Sequence, residues 1–164
     1  KSIYGKTQKE VRERLAEIFD QVVRDITRRE AGICLAPGEA EPSGEIYTVY
    51  AVFERGFGTC LSMSAEAAMF VRLTRGMMQR EDVTDRDVED FTKEYFNVLC
   101  GHIVSRLFRE TRVPARFSPP VFRRGRYVPE DHLRHIVLTY ADDRNERAQL
   151  IQHAPYGERE AQSI

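Results

Sequence analysis

The sequence is poor in cysteine, in lysine and in long apolar runs, and each shortage closes off a class of protein. No stretch of about 18 apolar residues occurs, so no helix is a candidate to span a membrane. No basic-then-apolar signal segment opens the chain. The start at Lys1 without methionine leads us to expect a piece of something longer. Cys34, Cys60 and Cys100 are widely spaced and odd in number, which argues for reduced thiols in a cytoplasm rather than a disulfide framework. Lysine is confined to Lys1, Lys6, Lys9 and Lys93, and the remaining basic residues are arginines. With a net charge of −1 the chain has no bias toward nucleic acid or an anionic membrane, and its local basic patch, Arg123, Arg124 and Arg126, lacks interleaved stacking residues. No glycine-rich phosphate loop is present, because Gly56-Phe57-Gly58 is followed by a strand pattern rather than a helix.

What is present fits one domain over residues 1–164. The chain is 41% hydrophobic, enough for a core at this length, and no Gly/Ser or proline-rich linker or internal repeat divides it. Residues 1–6 carry no pattern. From Thr7, apolar Val11, Leu15, Ile18, Val22 and Ile26 recur at helical spacing until Gly32, giving an N-terminal helix within residues 1–30. Ile33 to Ala36 reads as a short strand, and 38–45 as a loop. The core spans 45–153. Within it, Glu45 to Glu54 and Gly58 to Met63 read as a hairpin turning at 56–58. Ser64 is the expected cap of a helix to about Met78, its buried side Ala67, Phe70, Val71, Leu73 and Met77, with Gly76 weakening its end. Further on, 116–123, Leu133 to Ala141 and Ala148 to His153 read as extended, and 154–164 as a frayed tail. Three helices and five or six strands, with hairpins before and after the helical pair, define an α+β fold: a largely antiparallel sheet with long helices on one face.

The most informative stretch is Asp85 to Phe108, a single helix capped by Thr84 or Asp85 and acidic in its first turns. At about 100° per residue Val88, Phe96, Leu99, Ile103 and Leu107 share one side, with Cys100 packing on its flank. Asp90, Glu94, Asn97, Gly101 and Ser105 share the other. Glu94 and Asn97 are one turn apart, so both point the same way. Gly101 costs the helix roughly 1 kcal/mol against alanine, a cost that close approach of a partner offsets. Taken alone, the pair fits a solvated helix face as well as a working site. Chemically, a glutamate can pair with a partner's lysine, and an amide can hold and aim a water. Neither is a strong nucleophile at neutral pH, so the pair suits positioning rather than covalent catalysis.

The run Glu94-Tyr95-Phe96-Asn97-Val98-Leu99-Cys100-Gly101 is similar to the E-x-x-N-x-x-x-G signature of the CheX-like chemotaxis phosphatases (the CheC, CheX and FliY type). The hairpin and helix upstream look like the family's lead-in. Ser118 to Gly125 resembles the strand that follows, so the likeness covers about residues 45 to 140. The resemblance implies a phosphatase for the aspartyl phosphate of a phosphorylated response-regulator receiver. Glu94 would grip the receiver's lysine, and Asn97 would orient the attacking water. Magnesium would come with the receiver, leaving this chain no cofactor of its own, and the protein would be a homodimer joined at sheet edges. Gly101, Asp90, Tyr95 and Ser105 are the expected partner-binding residues. Tyr95 and Phe96 stand where small or aliphatic residues are expected; Phe96 falls on the buried side and Tyr95 on a flank near the docking surface. The alternative is a binding module of the same fold that holds a receiver, or a second copy, without catalysis. Metal binding through Cys100 and His102, or His132 and His135, is not expected at these spacings.

Overall fold

The computed structural model describes residues 7–55, 59–130 and 132–155. The expected turn at 56–58, the first six residues and residues 156–164 of the expected tail lie outside the described residues, whereas Ala154 and Pro155, expected in that tail, belong to the last strand.

The chain opens with helix α1 (Gln8–Ala31). Thr7 caps it by accepting from the Glu10 amide, and Gly32, at φ 69°, ends it with the left-handed turn that glycine adopts without strain. A two-residue strand β1 (Ala36–Pro37) follows, later than the expected strand from Ile33. Ile33 and Leu35 instead drop into the core from an irregular stretch. Strands β2 (Ile46–Arg55) and β3 (Cys60–Glu66) pair antiparallel. Helix α2 (Ala67–Met78) starts two residues later than the sequence suggests. Ser64 is not its cap. It lies within β3, where its hydroxyl meets that of Thr48 at 2.8 Å, and Glu66 precedes the helix without a side-chain capping bond. Helix α3 (Asp85–Thr111) opens on a reciprocal capping box between Thr84 and Asp87 and runs one turn beyond Phe108. Strands β4 (Arg116–Phe117), β5 (Val121–Arg124), β6 (His132–Ala141) and β7 (Arg147–Pro155) complete the chain.

The sheet has seven strands in the order β1-β6-β7-β3-β2-β4, with β5 also pairing with β2. Every pairing is antiparallel. The strand count exceeds the expectation because the extended run at 116–123 divides into two strands, β4 and β5. Period-two alternation puts Tyr47, Val49, Ala51 and Phe53 of β2, with Leu61, Met63 and Ala65 of β3, on the face that the three helices cover. Those side chains join Ile18, Phe19, Val23 and Ile26 of α1, Met69, Phe70 and Leu73 of α2, and the inner stripe of α3 in one core. Gly76 allows α1 and α2 to approach: a Cβ there would sit 2.3 Å from the Ala31 carbonyl oxygen, so this glycine serves packing rather than simply weakening a helix end. Arg72 ties α2 to the β6–β7 turn through Asp142, Asp143 and Glu146.

The second face is closed differently. Tyr50 stacks on Tyr127 at 3.9 Å between ring centres, and Arg126 Nη2 donates to the Pro42 carbonyl, so segments from both sides of the core meet over the sheet. Beneath them Ser62 Oγ lies 3.0 Å from His153 Nε2. Burial, with smaller contributions from His132 and Arg134, pushes the His153 imidazole down to about 4. Above pH ~6.5 the ring is neutral in both the folded and unfolded chain, and its titration contributes nothing. Below that the unfolded chain takes a proton that the folded chain refuses, so stability falls as pH drops from ~6.5 toward ~4. Urea unfolding followed across this window should show that fall in the wild type. In His153→Gln it should be smaller, by as much as about 3 kcal/mol at the acid end. Identical pH profiles would show that His153 is not the group responsible.

Candidate functional site

Helix α3 sits between the core and solvent, and its two sides divide as the periodicity requires. Val88, Phe96, Leu99, Cys100, Ile103 and Leu107 are all buried. Asp90, Glu94, Asn97, Gly101 and Ser105 are all exposed. Among the described residues, neither Glu94 nor Asn97 has a hydrogen-bond or ion-pair partner. Lys93, the nearest cation in sequence, is turned to Glu89 and Asp90 at 3.8 and 4.0 Å and leaves Glu94 alone. Asp90 is therefore exposed but partly occupied, shared between Lys93 and Arg86, the latter at 3.6 Å. Such exposed pairs within one helix are weak and easily exchanged for a partner's charge.

Tyr95 contradicts its expected place in the docking surface. It is fully buried, and its hydroxyl reaches Thr27 Oγ1 of α1 at 2.6 Å and Met63 Sδ of β3 at 3.6 Å. Thr27 in turn donates to the Val23 carbonyl, so its oxygen is free to accept the tyrosine proton. Burial holds the Tyr95 phenol well above its ordinary pKa, so it remains a donor at physiological pH. The ring points inward because residue 95 follows Val88 by seven positions and precedes Leu99 by four, which places it in the apolar stripe rather than beside it. That spacing was the available signal. The residue between the acid and the amide thus braces the helix from below.

Further along, Arg14 of α1 grips Glu110 by donating from Nε and Nη2, and Arg106 Nη2 donates to Gln21 Oε1 at 2.9 Å. The Arg14 guanidinium lowers the Glu110 pKa. These bonds and the Tyr95–Thr27 contact fix α3 against α1 along much of its length. Between the helices a shallow groove of about 290 Å³ is lined by Gln21, Asp25, His102, Arg106 and Arg109, among others. Two of the three thiols offer little chemistry: Cys100 is buried and its pKa raised, and burial pushes Cys60 up to about 12, while Cys34 is exposed. Among the described residues, no group of three or more His, Cys, Asp or Glu is placed to hold a metal ion.

An antiparallel sheet under three helices, with an unpartnered acid and amide on the outer side of the longest helix, defines the class of fold. The comparisons agree. The sequence profile described as chemotaxis phosphatase CheX matches residues 53–140, more than half of the chain, and the protein belongs to this family. Among solved structures it is similar to CheX from Vibrio vulnificus, at TM-score 0.70 and 14% identity over 87% of this chain and 97% of that one. It is similar as well to the CheX-CheY-BeF3-Mg complex from Borrelia burgdorferi, at TM-score 0.63 and 14% identity, covering 84% and 95% of the two chains. FliY from Thermotoga maritima superposes at TM-score 0.64 with 11% identity over 96% of each chain. No curated protein sequence matches.

Gly101 separates structural from functional cost. A Cβ at this position meets nothing within 4 Å, in contrast to Gly76. Nothing among the described residues calls for a glycine there, so Gly101→Ala should stabilise the fold by about 1 kcal/mol, read as a higher urea midpoint with an unchanged slope. A loss of stability would show an internal role for the bare backbone.

Proposed function

We propose that the protein is a phosphatase that hydrolyses the aspartyl phosphate of a response-regulator receiver domain. The observation that carries this reading is the exposed pair Glu94 and Asn97, set one turn apart on a rigidly held helix with their polar atoms uncommitted. Glu94 pairs with a lysine of the receiver's active site and sets the register of docking. Asn97 enters that site. Its carboxamide offers two donors and an acceptor, sufficient to hold a water in line with the phosphorus–oxygen bond. The water oxygen attacks phosphorus, the bond to the aspartyl oxygen breaks, and the products are inorganic phosphate and the free carboxylate. Phosphoryl transfer of this kind depends mainly on placement and charge stabilisation. The phosphoryl group and its magnesium belong to the receiver, so this chain supplies only side chains.

Family membership supports the reading, as does the beryllofluoride and magnesium complex of a related CheX with CheY. Exposed Gly101 and Ser105 extend the same surface and allow a partner's backbone to come close. Pairing of two copies belongs to the proposal as well. Among the described residues, β6 pairs with β1 only at Tyr140 and Ala141, which leaves most of its outer edge open to a second sheet. No helix among the described residues is long and apolar enough to cross a membrane, and we place the reaction in the cytoplasm with the receivers.

Phosphate release from the phosphorylated cognate receiver tests the mechanism. Asn97→Ala should slow it by about 10²–10³, the usual loss for one positioned polar group. Equal rates for the variant and the wild type would remove Asn97 from the mechanism, and binding of the receiver with no acceleration by the wild type would leave only a receiver-binding module.

A further inference from the structure

On the basis of this phosphatase reading, we infer that Phe108 and Arg112 form a second contact point on the same helix face, an affinity anchor that holds the receiver while Glu94 and Asn97 act. Three observations meet there. At about 100° per residue, Phe108 falls on the stripe of Asn97 and Gly101, and it is 42% exposed although aromatic. The Arg112 guanidinium lies 5.8 Å from the centre of its ring. Val113, just beyond the helix, is a further exposed apolar residue at 44%. A lone exposed apolar side chain is ordinary, but an arginine-capped aromatic in line with an unpartnered acid and amide forms a composite surface.

Charge along α3 gives the anchor a direction. The outer face is acidic at Asp90 and Glu94, neutral at Asn97, Gly101 and Ser105, and basic at Arg109 and Arg112. Glu94 and Phe108 are fourteen residues apart, which at ~1.5 Å per residue is about 21 Å. That span suits one face of a small globular domain. The occupant it selects presents a cation at one end and, about 21 Å away, an apolar spot bordered by a carboxylate. A receiver gripped through its lysine by Glu94 would have to carry that second feature. The bare backbone at Gly101, which no internal packing explains, lies between the two ends and lets the partner run flat across the helix. On this account Glu94 and Asn97 act on the reaction and Phe108 with Arg112 on residence, as aromatic and arginine anchors do at protein interfaces.

The experiment is a steady-state analysis of phosphate release from the cognate phosphorylated receiver, paired with titration of the beryllofluoride-activated receiver and a sedimentation measurement of each variant alone. Phe108→Ala should raise KM and the titrated Kd about tenfold while kcat stays within about twofold. Arg112→Glu should do the same, with a penalty that shrinks as salt is added. Asn97→Ala should behave in the opposite way, with kcat lost and Kd kept. Wild-type KM and Kd for both Phe108→Ala and Arg112→Glu would overturn the anchor while leaving the phosphatase reading intact. Phe108→Ala that shifts only the protein's own oligomeric state would overturn it in favour of a second copy on this face. If the wild type failed to speed phosphate release the phosphatase reading would fail, and the Kd titration would still decide the anchor by itself; full activity in Asn97→Ala would remove only Asn97 from the mechanism.

Discussion

The rotation of α3 about its own axis is the constraint on which everything else depends. A helix repeats its faces every 3.6 residues or so, and a change of one position in register turns a side chain by about 100°. The same turn would carry Asn97 from solvent toward the sheet. What prevents it is the inner stripe, and within that stripe the hydroxyl of Tyr95 on Thr27 and Met63. An apolar contact tolerates sliding, because dispersion and burial have no direction. A buried hydrogen bond does not, since a misplaced donor is left unsatisfied at a cost of about 1–3 kcal/mol. Tyr95 therefore fixes angle as well as depth. The Arg14–Glu110 and Arg106–Gln21 contacts add the same restraint toward the far end of the helix.

Two glycines illustrate opposite uses of the same residue. Gly76 is demanded from within, because α1 and α2 touch backbone to backbone at Ala31. Gly101 has open space around it and is retained at the expense of helix stability. The first is a packing requirement. On the proposed function, the second leaves room for a partner. Asp90 belongs with the second kind, since its intrahelical pairs with Arg86 and Lys93 are exposed and readily given up. The inner face of α3 is organised for rigidity, and on the proposed function its outer face is the one a receiver meets.

Much of this was legible in the sequence, for identifiable reasons. The α3 stripe of Val88, Phe96, Leu99, Ile103 and Leu107 follows from periodicity alone and is buried throughout. Strands β2 and β6 were visible because long runs of β-branched and aromatic residues have few other places to go, whereas β7, with Ile151 its one β-branched residue, was legible as the second arm of a hairpin. Three features were harder. Strand β1 lies at Ala36–Pro37 rather than from Ile33, and the run at 116–123 divides into β4 and β5, because pieces of two residues leave no period to mark their bounds. Ser64 satisfies the local rule for a helix cap, yet cross-strand pairing of Thr48 with Ser64 won it for the sheet. Tyr95 was misplaced because a hydroxyl-bearing ring beside a polar motif suggests a surface role, whereas its spacing from Val88 and Leu99 pointed inward. The partner for its hydroxyl, Thr27, is 68 residues away, and no local pattern reveals it. The burial of His153 was equally hidden, since it depends on segments that meet over the second face only after the sheet has formed.

The central claim is that Asn97 stands outward and enters the receiver's phosphorylation site. The most direct measurement follows the side-chain amide signals of Asn97 by nuclear magnetic resonance as the beryllofluoride-activated receiver is titrated in. The account predicts that these two protons exchange freely with water in the isolated protein, then shift and become protected as the complex forms. An Asn97 amide already protected in the free protein, or one left unchanged at saturation, would contradict it.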